Sequence, residues 1–490
     1  MSQQQYTPLS GGLDLITPPT QVDPGRAILA LNYECPVEGG YRSISGYTRL
    51  GEGVPGRGQI LGVAVWQGDF YSIREQESGG TAALYQWNSS TGVWDQLGTG
   101  MAAGRYEFTI GNFYATAASE ALYMVCPNGK PYEWNGATLT ELAAAQSGAA
   151  HIIAHDNRLI LGFEAGTIQI SEAGSPEGWD GTLGAAEIGA SDRVTGLASL
   201  SGGVLAIFCA DSIKVLYGTS VDDWELKVLS ANAGAKRYSI ASMAQPLFIG
   251  DQGPTSLEAT QAFGDFSVAA WGRMVSPLFS SGYQPVASCV SKKHNQYRVW
   301  DVSGRGIRAT FSGNELAGIT LTEFPHVLKC VAQGEDSSNN ELVIFGDDSG
   351  HVYQMDSGTA FHDQPIESIL TLQSNHCGSP SVRKRFRRVF LETTGVDTTD
   401  LSVLPGFDYG DDDISRHLRI VGIMAAGGFF DFSEWGDFAW SAPYQSNTPI
   451  SIAGSGENMN LSLHHSSSTA AAHSIRGYML HYDSRRQMRG

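Results

Sequence analysis

The stretch from Glu341 to Phe361, ELVIFGDDSGHVYQMDSGTAF, restricts the fold more than any other part of this chain. An apolar run at 342–345 leads into a tight Gly-Asp-Asp-Ser-Gly turn, and an alternating strand carrying Val352, Tyr353 and Met355 follows. A second glycine turn closes the unit at Gly358. Two short strands around a glycine turn, backed by another such turn, are the minimal unit of a β-propeller blade. Related units recur upstream with different residues, so the chain reads as a ring of small antiparallel sheets.

Composition supports this. In 490 residues, 59 are glycine and only 17% are charged, which favours a turn-rich, all-β chain over a helical or disordered one. The formal charge is −19, opposite in sign to the basic stripe that phosphate binding requires, and this argues against wrapping nucleic acid. The cysteines Cys35, Cys126, Cys209, Cys289, Cys330 and Cys377 lie far apart without metal-ligand spacing. Several sit inside apolar runs, so buried free thiols from a reducing compartment are expected. The opening MSQQQYTPLSGG has neither a basic nor an apolar signal region, and no run approaches the ~18 apolar residues of a membrane span. Synthesis in the cytoplasm without membrane insertion is the expectation.

Residues 1–54 read as an irregular arm, because Pro18, Pro19 and Pro24 forbid a central strand or helix at those points. Such an arm is expected to lie on its own propeller or on a neighbour. Hairpins follow: residues 61–66 with 70–73, 84–87 with 93–97, 121–126 with 131–134 and 138–142, and 204–209 with 213–217. Between them 152–155, 158–163 and 167–171 make a further unit. Trp66, Trp87, Trp94 and Trp134 fall near strand ends, where packing between sheets is the expected role. At roughly 40–50 residues per four-stranded blade, 55–375 holds about six blades. Residues 376–490 form a further β-rich region.

That last region opens with SVRKRFRRVFLETT, a dense basic cluster of Arg383, Lys384, Arg385, Arg387 and Arg388. It reads either as an exposed strand face touching phosphates or an acidic neighbour, or as an edge strand protected by charge. In so acidic a chain, contact with another protein is the favoured reading. The expected contact surfaces are thus the arm at Pro18, Pro19, Pro24 and Arg26 and the basic strand.

No catalytic constellation emerges. Phosphate loops, HExxH, GxSxG and EF-hand spacings are missing from the sequence. The carboxylate groups Asp347-Asp348 and Asp411-Asp412-Asp413 sit in turns, where Asp serves the backbone. His151 and His155 have helical metal-pair spacing, yet their flanks are strand-like, which puts them about 13 Å apart and too far to share an ion. The repeated turn of sialidase-like propellers is missing, with SEAGSPEGW its nearest approach. The chain is read as a non-enzyme without cofactor or metal. A competing reading is a receptor- or glycan-binding propeller that stacks sugars on Phe429, Phe430, Trp435 and Trp440; an inter-sheet core is the simpler role for those rings.

Several phrases, taken in order, carry a resemblance. GGLDLITPPTQVDPGRAILALNYECPVEGGYRSISGYTRL places a Pro24-Gly25 turn ahead of Asn32, then Arg42 with Gly46-Tyr47. Next come HDNRLILG with SEAGSPEGW, SIKVLYG with AGAKRYSIASM, GHVYQMDSGTAF before KRFRRVFLE, and IRGYMLHYDSRRQMRG. Spread over almost the whole chain, they resemble the tail nozzle proteins of short-tailed phages (podoviruses), also called tail tubular or packaged-DNA stabilisation proteins. The resemblance implies a structural virion protein: a homo-hexameric β-propeller tube below the adaptor ring under the portal. It further implies contact with a tail needle, plug or fibres, retention of the packaged genome, and passage of DNA through the lumen during ejection without sequence-specific binding. The acidic balance suits a DNA-repelling lumen.

Overall fold

In a computed structural model, the described residues are 2–114, 119–251, 253–259, 266–279, 282–395, 399–409, 419–423 and 446–484. The fold is an all-β propeller with a second β-rich module. Blade 1 consists of strands Arg57–Trp66, Asp69–Glu75, Thr81–Asn88 and Val93–Ala102, antiparallel and in sequence order. Blade 2 spans Glu107–Asn112 to Leu139–Glu141, blade 3 Ala149–His155 to Ala186–Gly189, and blade 4 Val194–Leu200 to Glu225–Ser230. Blade 5 runs from Ala241–Ser242 to Phe266–Ala270 and blade 6 from Pro285–Ser291 to Glu315–Glu323. Blade 7 takes three strands, Leu328–Glu335, Glu341–Asp347 and Val352–Met355, from its own stretch and the fourth, Tyr47–Arg49, from the N-terminal segment.

Turn chemistry sets the blade hairpins. Asp156 and Asn157 both have positive φ, which fits a two-residue loop joining Ala149–His155 to Arg158–Phe163. At the Gly346–Gly350 turn, Asp347 Oδ1 accepts the backbone N–H groups of Ser349 (2.9 Å) and His351 (2.7 Å), the backbone service expected of it.

The ring closes because successive blades share apolar surface. Leu61 and Trp66 of blade 1 pack with Leu122 and Trp134 of blade 2, Tyr123 of blade 2 with Leu161 of blade 3, and Ile168 of blade 3 with Ile207 of blade 4. Phe208 and Phe248 join blades 4 and 5, and Leu247 and Ile249 of blade 5 meet Tyr297 and Val299 of blade 6. Trp300 and Phe324 of blade 6 pack on Phe345 and Tyr353 of blade 7, and Cys330 and Ile344 return to Ile60 and Val63 of blade 1. Seven interfaces make seven blades among the described residues, where residue counting gave about six. The additional unit is blade 5, whose two-residue first strand, Ala241–Ser242, has no periodicity to read. Trp66, Trp94 and Trp134 are buried between sheets, and Trp87 packs on Trp94 at 5.4 Å.

Residues 1–54 are woven into their own chain rather than forming a separate arm. Tyr47 closes the ring from within an aromatic cluster, its ring about 5 Å from those of Phe324, Phe345, Tyr353 and Phe361. Gly11–Gly12 and Ala27–Leu31 add parallel to the outer strand of blade 6 and extend it into a ten-stranded sheet. Ile366–Leu372, Met459–Ser467, Thr399–Phe407 and Arg419–Ile423 complete that sheet. A six-stranded sheet contains Ser446–Gly456, Lys384–Gly395, His473–Ser484, Tyr41–Ser43 and Tyr33–Glu34, with Ser2–Pro8 on the free edge of His473–Ser484. Phe386, Val389 and Leu480 of the smaller sheet share one core with Leu401, Leu463 and Tyr297 of the larger. Strand Ile366–Leu372 therefore belongs to this module although it precedes residue 375.

Candidate functional site

The first strands of six blades (1 to 4, 6 and 7), with the connectors into blades 2 and 5, converge on one central space. Together they wall a cavity of about 460 Å³. Arg105, just before the first strand of blade 2, reaches across the channel: one Nη donates to the carbonyl of Lys329 in blade 7, and the other to that of Val286 in blade 6 at 3.0 Å. Its guanidinium also lies 4.5 Å from the centroid of Tyr238, in the connector into blade 5. Arg237 stacks on the same ring at 4.5 Å and ion-pairs with Glu164. Tyr238 holds a left-handed backbone, φ 61°, and burial raises its phenol pKa against the pull of the two guanidiniums.

His151, buried to 1% exposure, turns Nδ1 toward Glu107, 2.9 and 3.1 Å from the two carboxylate oxygens. Its neighbour in the wall is Thr195 at 3% exposure. His151 Nε2, Thr195 Oγ1 and Arg105 Nε are buried and have no hydrogen-bond partner among the described residues. His155 lies farther along the strand with Nδ1 at 2.9 Å from Ser199 Oγ, and burial lowers its pKa. Among the described residues, no group of three or more His, Cys, Asp or Glu side chains is placed to hold a metal ion. The sequence raised His151 only as a metal ligand, and the periodicity of one strand cannot show which residues meet across a ring.

The structure excludes one of the two readings given to the basic strand. Lys384–Gly395 is not an edge strand; it pairs with Ser446–Gly456 on one side and His473–Ser484 on the other. Lys384 is buried, its Nζ donating to the carbonyls of Ser379 (2.6 Å), Val382 (2.8 Å) and Glu457 (2.8 Å), and burial lowers its pKa. It is therefore not a contact residue, because strand alternation points it inward with Phe386. A bulge between Phe386 and Arg388 restores that alternation one residue late. Arg383, Arg385, Arg387 and Arg388 consequently share the exposed face. Arg387 pairs with Asp483 (2.5 Å) and Arg383 with Asp408 (3.8 Å).

In the N-terminal segment, Pro18 and Pro19 are exposed, while Pro24 and Arg26 are half-buried. The Pro18 carbonyl caps a turn by accepting the N–H groups of Gln21 and Val22, and that of Pro19 accepts His376 Nε2 at 3.1 Å. Arg26 donates to the Gly11 carbonyl at 3.1 Å. These contacts are all within the chain. Phe429, Phe430, Trp435, Trp440 and the Asp411–Asp413 cluster lie outside the described residues. All six cysteines are free thiols, with Cys377 alone not fully buried. Among the described residues no helix is long and apolar enough to cross a membrane.

No protein-family model matches the chain, and no curated protein does. Among solved structures it is similar to the WD40 propeller domain of Doa1 at 12% identity and TM-score 0.42, covering 63% of this chain and 96% of that one. It is also similar to the WD40 repeats of RRP9 at 8% identity and TM-score 0.43, covering 64% and 99%. YCF48 bound to a D1 peptide aligns at 10% identity and TM-score 0.40, over 64% and 97%.

Proposed function

We propose that this chain is a structural protein of a short-tailed phage tail, whose copies ring a conduit that retains the packaged genome and conducts it at ejection. The observation that carries the reading is the exposed row Arg383, Arg385, Arg387 and Arg388, set on a sheet beside the propeller in a chain of formal charge −19. A basic face on an otherwise acidic molecule is complementary to the acidic surface of another copy or of a tail neighbour, and such complementarity sets register and encounter rate. The propeller's own channel is unsuited to DNA, because Arg105 crosses it and the cavity of about 460 Å³ has the size of a small-ligand pocket. A genome conduit would have to be the lumen enclosed by several copies, and acidic walls there would let DNA pass without sticking. Virion localisation, six copies, an adaptor above and a needle, plug or fibres below belong to the same proposal.

The test is assembly. The purified chain should form rings by light scattering and electron microscopy. Reversing Arg383, Arg385 and Arg387 to Glu should leave a folded monomer by circular dichroism. A wild-type chain that stays monomeric with and without its tail partners, or a reversed variant that forms the same rings, would overturn the proposal.

A further inference from the structure

We infer that the exposed face of the six-stranded sheet docks on a second copy of this chain, at the acidic outer rim of blades 2 and 3, so that copies join head to tail. The inference rests on the tail reading and deepens it by naming the surface that the basic row meets.

Strand pairing sets the exposed side chains of that sheet in rows. Gln4, His481 and Arg388 lie in register across three strands, as do Tyr6, Met479 and Phe390. Tyr6 is 53% exposed, and Met479 and Phe390 are half-buried. Arg383 and Arg387 have carboxylate partners, whereas Arg385 and Arg388 are exposed and form no ion pair among the described residues. Arginine beside aromatic and methionine side chains is the composition enriched at protein interfaces.

The opposite charge is concentrated elsewhere on the same chain. Residues 131–190 contain eight acidic residues against one basic, Arg158. Arg158 is buried, its guanidinium donating to the carbonyls of Ser171 and Gly184. Strand alternation directs the carboxylates of this stretch into the cleft between blades 2 and 3. Tyr132 and Trp134 pack toward blade 1, which turns Glu133 toward blade 3, and Ile188 packs toward blade 4, which turns Glu187 toward blade 2. Glu177 and Asp180 are exposed on the loop that leads to the outermost strand of blade 3. None of these four carboxylates forms an ion pair among the described residues, while Glu75, Glu225 and Glu335 on other blades pair with Arg57, Lys227 and Lys292. Burial and the charge of Glu177 raise the Glu133 carboxyl above its ordinary value, so this rim repels itself where nothing basic faces it. Tyr114 and Leu183, 51% and 66% exposed, add apolar surface there.

The two surfaces cannot meet within one molecule. The module is built on the outer strand of blade 6, and half a turn of a seven-blade ring from blade 6 falls between blades 2 and 3. One chain therefore carries its basic face on one flank and its acidic cleft on the other. Each copy offers one surface to each neighbour, a heterologous contact that makes a ring where the rotation closes.

The experiment measures assembly of the full chain by analytical ultracentrifugation and electron microscopy. One variant combines Arg385→Glu with Arg388→Glu; the other combines Glu177→Arg with Glu187→Arg. All four positions are exposed, so the circular dichroism spectra should not change. Each variant alone should assemble at least about tenfold more weakly than the wild type, because like charges then face each other. Mixing the two should restore assembly, since the reversed face of one meets the reversed rim of the other and the remaining pair of surfaces is unaltered. Raising salt from about 0.05 to about 0.5 M should weaken wild-type assembly about tenfold or more. Wild-type assembly by the rim variant, or a mixture that stays monomeric, would overturn the inference and leave the tail reading standing, with the basic row serving another tail component. Wild-type assembly only in the presence of other tail components would do the same. A chain that never assembles, with or without them, would overturn both.

Discussion

The propeller and the composite module beside it are built from the same strands and turns but by opposite routes. Blades 1 to 6 are each made from one continuous stretch, with every strand paired to its sequence neighbour. The module draws on both ends of the chain: Ser2–Pro8 pairs with His473–Ser484, and Ala27–Leu31 with Ile366–Leu372. Blade 7 belongs to both schemes, since its last strand comes from the N-terminal segment. Local hairpins form at little loop-closure cost, whereas each long-range pairing must offset the entropy of bringing distant segments together. The module does so with a shared apolar core and, at its seam with the propeller, a buried ionic network.

That network joins strand Tyr33–Glu34 to blade 6 and to the exit of blade 7. Glu34 meets Arg42 at 2.5 Å, Gln296 at 2.7 Å and Arg308 at 3.6 Å, and Arg298 meets Asp356 at 2.6 Å. Burial pushes both carboxyls up, but the surrounding guanidiniums outweigh it and hold Glu34 and Asp356 below their ordinary range. Breaking a buried pair leaves a charge uncompensated, so Arg298→Met should cost about 3–5 kcal/mol in denaturant unfolding. Adding Asp356→Leu should recover part of that loss. A cost below about 1 kcal/mol would show that the seam holds by apolar packing alone.

A smaller and pH-dependent effect distinguishes the module's interior. Burial, with His465 beside it, pushes His473 down to about 3 from 6.5, while Tyr33 and Ser43 hydrogen-bond its ring nitrogens. The folded state thus binds fewer protons than the unfolded one between those values. Its stabilising contribution is complete above pH 6.5 and is lost as pH falls toward 3. The slope from this one group reaches about 1.4 kcal/mol per pH unit at most. His473→Gln should flatten the stability profile between pH 6.5 and 4.5. It should not abolish the slope, because burial also lowers His155, His294 and His326. The carboxylates Glu34 and Asp356 add their loss below that window. An unchanged slope in the variant would remove His473 from this account.

The smallest effect is expected on the basic face. Arg387 is 53% exposed in its pair with Asp483, so Arg387→Ala should change stability by less than about 1 kcal/mol. A loss above about 2 kcal/mol would make the row a structural element of the module rather than a docking face.

Legibility in the sequence follows the same division. The hairpin Val204–Cys209 with Ile213–Tyr217 was readable because its turn, its apolar run and its partner lie within fourteen residues of one another. Blade 5 was not, since Ala241–Ser242 is too short to show alternation. A run of basic residues suggests a solvated face, and at Lys384, 1% exposed, that expectation fails. The corrective signal was present, for Phe386 and Val389 stand three apart where an unbroken strand would place them two or four apart. No local signal could show that Arg105, His151 and Thr195 face one cavity, because they come from three different blades.

By itself, then, the sequence determined the all-β class and the strand-turn unit, since glycine turns and period-two alternation act over a few residues. Only the tertiary structure decided the seven-fold closure, the burial of Lys384, the fate of the N-terminal segment and the cup on the axis. Each depends on which distant surfaces bury one another, and that choice is made by packing and long-range strand pairing rather than by local propensity.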